Sequence, residues 1–193
     1  MEQLHHQSTK RLETPRLVLR RFTADDAEPM FKNWTGDSEV TQYLTWSAHK
    51  NVNETKIILE QLFLPCYQKQ NVYEWAIELK MLGEPIGSIG LHGQNELIRS
   101  GELGYCIGRQ FWRQGYTLEA LNEVMRFLFL EVNFNRLEAL HEVENSNSGR
   151  VMQKAGMRFE GIRRQVGPNH RGVLTDCCSY AILKEDYIHA VHS

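Results

Sequence analysis

The stretch Gly101-Glu-Leu-Gly-Tyr-Cys-Ile-Gly-Arg-Gln-Phe-Trp-Arg-Gln-Gly-Tyr-Thr-Leu-Glu119 joins two periodicities, and its reading decides the fold. Its first half alternates. Leu103, Tyr105 and Ile107 share one strand face, while Glu102, Gly104, Cys106 and Gly108 share the other, so one side is bulky and the other nearly bare. A ligand can lie against the bare side. The second half passes through Trp112-Arg113-Gln114-Gly115-Tyr116-Thr117 into a stripe of helical spacing, Leu118, Leu121, Met125, Leu128 and Phe129. Backbone N–H groups at a helix start are free donors with partial positive charge, which suits an anion, phosphate above all. Gly115 lets the backbone come close and Arg113 adds a charge. An ordinary strand-to-helix turn with a solvated arginine is the plain alternative. The chain has no Walker A motif and no GxGxxG after a strand, which disfavours ATP and dinucleotides.

Upstream, Leu17 to Phe22 reads as a strand, and Thr23 with Asp26 resembles a capping box opening a helix toward Trp34. A second helix is predicted from Asn51 to Gln68, with Val52, Thr55, Leu59, Leu62 and Phe63 near one face. Tyr73, Trp75, Ile77 and Leu79 then alternate with Glu74, Ala76, Glu78 and Lys80, turn at Leu82-Gly83-Glu84 and return through Pro85 to Leu91 as an antiparallel hairpin. Downstream, Arg136 to Val143 reads as a strand and Ser146 to Ala155 as a short helix stopped by Gly156. Strands near 158–166 and 174–183 close the chain around the turn-rich Gly167 to Gly172. The expectation is one α/β domain over 1–193. It has a mixed, mostly antiparallel sheet of six to seven strands, about four helices, and a polar, flexible leader at 1–11.

Composition narrows the function. A chain of 193 residues with 41% hydrophobic residues has the material for a single core. The 22 basic against 24 acidic residues advertise no phosphate-neutralising surface, so nucleic acid is not expected as a partner. No apolar run reaches the roughly 20 residues that span a bilayer, and the start lacks the apolar core of a signal peptide. The expected address is the cytoplasm, with no membrane partner, as a monomer or homodimer. Cys66, Cys106, Cys177 and Cys178 form no CxxC pair and read as reduced fillers. The only metal-like spacing, His189 to His192, lacks a third ligand beyond Asp186, so no metal is expected.

Trp-Arg-Gln-Gly-Tyr-Thr followed by Leu-Glu-Ala-Leu resembles the acyl-CoA pyrophosphate loop of the GCN5-related N-acetyltransferase (GNAT) superfamily, in particular its RimJ/RimL-like ribosomal-protein branch. Thr14-Pro15-Arg16-Leu17 with Leu19-Arg20, then Gly101-Glu-Leu-Gly-Tyr, then Asn145 to Ser148 through Met157, and Glu160-Gly161 with Arg163 and Asp176 resemble further segments of that branch in order. Two positions depart from the pattern: Thr117 stands for a small residue and Met157 for the usual Phe. The resemblance implies acetyl-CoA as co-substrate, cradled by Trp112, Arg113, Gln114, Gly115, Tyr116, Thr117 and Leu118, with Asn145 on the pantetheine arm.

Moving an acetyl group from a thioester to an amine needs a neutral amine, a polarised carbonyl and a proton for the departing thiolate. Glu102 on the bare strand face can take the amine's proton directly or through water; a solvated strand carboxylate is the alternative. The resemblance implies a splayed strand whose N–H groups near Cys106 and Ile107 bind the carbonyl, and Ser148 as proton donor to sulfur. Asn and Ser are also ordinary helix caps. No side chain stands out as a covalent nucleophile, which favours direct transfer in a ternary complex. The acceptor implied by the branch is a protein N-terminal α-amine. A small amine such as an antibiotic or polyamine, or a non-catalytic CoA-binding module, would carry the same cofactor motifs.

Overall fold

A computed structural model describes residues 3–191. Eight strands form one sheet: β1 (Leu12–Glu13), β2 (Leu17–Arg20), β3 (Tyr73–Leu79), β4 (Glu84–Asn95), β5 (Ser100–Ile107), β6 (Arg136–Glu142), β7 (Arg158–Pro168) and β8 (Leu174–Leu183), in the order β1-β2-β3-β4-β5-β6-β8-β7. Every pairing is antiparallel except β5 with β6. That parallel pair needs a crossover, and α5 (Tyr116–Phe127) with its wider last turn, Leu128–Val132, supplies it. The eighth strand beyond the expected six to seven is the two-residue β1, which pairs with Leu19 and Val18 and is too short to show a period.

Both faces of the sheet are covered, because the alternating strands carry apolar groups on both sides. Tyr73, Trp75 and Ile77 on β3, with Leu17, Leu19, Leu103 and Leu137, share a core with Phe127 of α5, Phe129 of its last turn and Phe134 just beyond it. The opposite face meets a smaller helical layer through Ala76, Phe22, Trp34 and Leu59. That layer consists of α1 (Ala27–Met30), α2 (Ser38–Thr41), α3 (Val52–Ile58) and α4 (Leu64–Cys66). The Asp26 carboxylate accepts the Thr23 N–H at 2.7 Å, as the capping pattern predicts, and also takes both Arg20 guanidinium arms at 2.7 and 2.8 Å. Asn51 caps α3 through its side chain.

Two expectations need correction. The helices predicted toward Trp34 and over 51–68 are each interrupted by a π-helical turn, Phe31–Thr35 and Leu59–Phe63. A wider turn shifts the phase of its residues, so Leu62, expected on the inward stripe, is 61% exposed. The leader is not free either: His5 N–H donates to the Val132 carbonyl, Ser8 N–H to Gln70, and Thr9 is buried with its hydroxyl on the Val72 carbonyl. Polarity there serves hydrogen bonds to the sheet rim. The short helix expected after β6 is present as α6 (Ser146–Lys154), and two helices lie beyond the expected four, α2 and α7 (Lys184–Val191).

Candidate active site

The site begins where β5 and β6 part. Their parallel pairing runs from Ser100/Arg136 to Leu103/Ala139 and stops, although β5 continues to Ile107 and β6 to Glu142. β4 holds β5 through Ile107, and β8 holds β6 through Glu142, so each strand stays fixed on its far side while the near sides separate. Gly108 N–H donates to Ile86, and strand alternation then sends the Cys106 N–H toward β4 as well. The N–H groups of Tyr105 and Ile107 face the split. Of the two donors read from the sequence, Ile107 is therefore placed at the opening and Cys106 is not; Tyr105 takes its place.

Across the split stands α6. Asn145 caps it, its side-chain oxygen accepting the Ser148 N–H at 3.4 Å, so the cap reading of Asn145 holds whatever else it does. Ser148 Oγ lies 3.1 Å from the Tyr105 hydroxyl, which bridges the opening. Burial pushes the Tyr105 phenol up to about 12, so it keeps its proton at neutral pH.

The loop to α5 is braced from the opening segment. Gly115 adopts φ +82° and Arg113 φ +61°, so the chain curls left-handed on both sides of Gln114. The first α-helical bond runs from Glu119 N–H to Gly115 carbonyl, which leaves the N–H groups of Tyr116, Thr117 and Leu118 ahead of it. Glu119 does not face an anion freely: Thr14 Oγ1 at 2.6 Å, Arg16 N–H at 2.9 Å and Arg16 Nε at 2.6 Å all donate to it. These bonds hold its carboxyl below the ordinary range against the opposing effect of burial. Arg16 also donates to the Gln114 carbonyl at 2.9 Å and stacks on Tyr116. Trp112 and Tyr116 are structural in this arrangement, Trp112 donating its indole N–H to the Ile107 carbonyl at 2.8 Å. Arg113, Gln114 and Gly115 are exposed, with Thr117 and Leu118 half-buried.

On the bare face of β5 a cavity of about 680 Å³ opens under the helical layer, lined by Ser88, Gly104, Tyr105 and Cys106 on the sheet side. Cys106 Sγ lies 3.4 Å from Ser88 Oγ, and burial pushes its thiol up, against a nucleophilic role. Glu102 is on the same face but outside the cavity wall; burial and Glu138 raise its carboxyl while Arg163 opposes them. Sequence reasoning missed two other groups. Glu74 lies in one cross-strand row with Gly90 and Gly104, and its carboxylate occupies the space any side chain at Gly90 would need. Burial pushes it up to about 8. The His92 ring lies over Gly104, its Nε2 3.3 Å from where a Cβ would stand, and burial pulls it down toward the neutral form. Among the described residues no group of three His, Cys, Asp or Glu converges as a metal site; His192 of the sequence reading lies outside them.

Comparison with known proteins agrees with this geometry. The sequence profile of the acetyltransferase (GNAT) domain matches residues 16–158. The chain belongs to the GNAT family. It is 34% identical over 173 residues to YoaA of Bacillus subtilis (strain 168), named an uncharacterized N-acetyltransferase, covering 90% of this chain and 96% of that protein. A GNAT-family acetyltransferase from Bacillus anthracis superposes with TM-score 0.78 at 26% identity, covering 91% of this chain and 99% of the other. A third relative, "Putative ribosomal N-acetyltransferase YdaF" of Bacillus subtilis (strain 168), is 28% identical over 129 residues, 66% of this chain and 70% of its own. The protein is thus an acetyl-transfer enzyme rather than a passive binding module. No helix among the described residues is long and apolar enough to cross a membrane.

Two outcomes test this GNAT site. Glu119→Ala removes a negative charge beside an anion cradle and also its brace; calorimetric titration should show acetyl-CoA binding weakened about tenfold, whereas tighter binding would mean that charge alone matters. For Glu74, the folded chain holds a proton above the range where the unfolded carboxyl releases it, so its ionisation destabilises the fold as pH rises from about 4.5 to 8. Thermal melts of Glu74→Gln should therefore gain on the parent between pH 5 and pH 8.

Proposed function

We propose that this protein moves an acetyl group from acetyl-CoA to a primary amine by direct transfer in a ternary complex. The observation that carries the reading is the split between β5 and β6, which opens unpaired N–H groups beside a cavity large enough for a small ligand. The donor set fits such a co-substrate. Exposed Arg113 and the free N–H groups of Gly115, Tyr116, Thr117 and Leu118 suit a diphosphate, and the unpaired strand edge suits an amide-bearing arm, with Asn145 at its far side. Acetyl-CoA supplies the thioester acyl group.

The residues divide the remaining work. Tyr105 and Ile107 N–H groups polarise the carbonyl. Glu102, half-buried and outside the cavity wall, receives through water the proton that an ammonium must release before its nitrogen can attack. As the C–N bond forms and the C–S bond breaks, Ser148 with Tyr105 behind it hands a proton to the sulfur, and the second amine proton replaces it. Cys106, a buried thiol, takes no covalent part.

A protein N-terminal α-amine is the acceptor that the branch resemblance implies, and the name of YdaF supports it. A small amine is favoured by the cavity, whose walls are mainly aromatic and aliphatic. Intact-mass detection of acetylated product after incubating acetyl-CoA with peptides and small amines tests the reading. Acetyl-CoA bound without any product across that panel overturns it.

Two variants test the proton path. Glu102→Gln should lower turnover about 10² fold with acetyl-CoA affinity unchanged, and its residual rate should climb with pH as the amine becomes neutral. Ser148→Ala should lower turnover more than it alters acetyl-CoA affinity, and Tyr105→Phe should give a smaller loss of the same kind. Full turnover in Ser148→Ala with lowered thermal stability would leave Ser148 as a helix residue only.

A further inference from the structure

The cavity beneath the helical layer has a composition that selects among amines. Trp34, Tyr43, Trp46, Leu62 and Phe63 come from the helical side, two of them from the π-helical turn at Leu59–Phe63. Glu74 is the only acidic residue of the described wall, and no lysine or arginine lines it. Its carboxylate has no hydrogen-bonding partner among the described residues; the hydrogen bonds of this residue are made by its backbone, whose N–H donates to Thr9 Oγ1 and whose carbonyl accepts from the Tyr67 hydroxyl. A carboxylate left without a partner against apolar walls is costly unless a cation joins it. Gly90 and Gly104 lie abreast of it, and strands stand about 4.8 Å apart, so a group seated over Gly90 is one strand from the opening at β5. Gly90, with no side chain, leaves room for that carboxylate.

We propose that the acceptor is a monoamine whose ammonium is borne on one aromatic or branched apolar group, and that Glu74 anchors this ammonium; the proposal rests on the acetyl-transfer reading above. A second ammonium, as in a polyamine, finds no anion in the cavity and is left desolvated. A small neutral side chain leaves the aromatic wall uncovered. One positive charge and one apolar body match both features.

The ionisation of the neighbours makes the anchor separable by pH. Cys66 and Tyr67 face Glu74 from the end of α4, and Cys106 from β5; burial raises all three. His49 and His92 line the same cavity, and burial lowers both. Tyr43, Tyr73 and Tyr105 complete the titratable wall, and Arg21, stacked on Tyr67, is engaged by the Thr9 carbonyl and the Ser8 hydroxyl. Glu74, pushed up to about 8, must lose its proton before it can hold an ammonium. Binding of a cation there tightens as pH rises toward 8.

The test titrates the full chain, with CoA present, with 2-phenylethylamine from pH 6 to pH 8.5. The dissociation constant should fall about tenfold per unit between pH 6 and 7 and level off near pH 8, as one released proton requires. At pH 8 Glu74→Gln should bind at least tenfold more weakly than the parent, and it should show no such slope. Glu74→Asp, which keeps the charge but retracts it, should lie between with the slope intact, and guards against a misfolded Gln variant. Spermidine and a peptide starting with Ala should bind more weakly than the probe. A peptide starting with Phe, run alongside, distinguishes a free amine from the same chemistry at a protein N-terminus. Equal affinity in parent and Glu74→Gln at pH 8, or preference for spermidine or the Ala peptide, overturns the anchor. If 2-phenylethylamine binds with this pH slope but no amine is ever acetylated, the acetyl-transfer reading fails and the anchor stands.

Discussion

The parting of β5 from β6 after Leu103 and Ala139 is the constraint on which the other features depend. Backbone N–H and carbonyl groups left unpaired in a covered sheet cost about 1–3 kcal/mol each unless water or a ligand meets them. Such an opening survives only if both strands are fixed elsewhere. β4 grips β5 from Glu102 to Ile107 and β8 grips β6 to Glu142, so closure would have to break pairing on the outer sides. The parallel direction of the pair adds to this. It demands the long crossover through α5, whose start then lies at the mouth of the split, where its free N–H groups are of use to an anion.

Around that opening, distant segments act as single units. Thr14 and Arg16 come from the start of the chain and Glu119 from the middle, yet their hydrogen bonds fix the loop at Gly115. The brace accounts for an acidic residue in the first turn of a helix for which we propose an anionic ligand: its charge is already engaged by a guanidinium. Tyr105 and Ser148 join β5 to α6 in the same manner. Loop and bridge are held by side chains, while the sheet supplies the framework.

The strands were legible because alternation survives in a sheet with two covered faces, and the 101–119 segment was legible because its period changes at Gly108 to Tyr116. The environment of the polar alternates stayed hidden. Glu74 and Glu78 occupy equivalent phases on β3, and each reads as the outward side of a half-solvated hairpin. The structure separates them: Glu78 pairs with Arg20, while Glu74 lies in the cavity unpaired. Nothing local distinguishes the two, since the partner of one is contributed by β2 and the cover of the other by the helical layer. The π-helical turns were equally hidden, because insertion of one residue into a turn leaves the apolar content unchanged and alters only its phase.

The two carboxylates of the bare face illustrate how position sets chemistry when residue type is the same. Glu102 has Arg163 opposing the effects of burial and of Glu138, so its charge is moderated by neighbours. Glu74 has burial alone, and its proton is held to about 8. Carboxylates in different surroundings can serve different steps at one pH. Near neutrality the isolated Glu74 is protonated, and a cationic guest is what makes its ionised form favourable. Burial raises Glu102 as well, and there Arg163 offsets part of the effect. The anchoring role we propose for Glu74 thus goes to the carboxylate with no protein partner, and the proposed proton transfer to the one whose charge Arg163 favours.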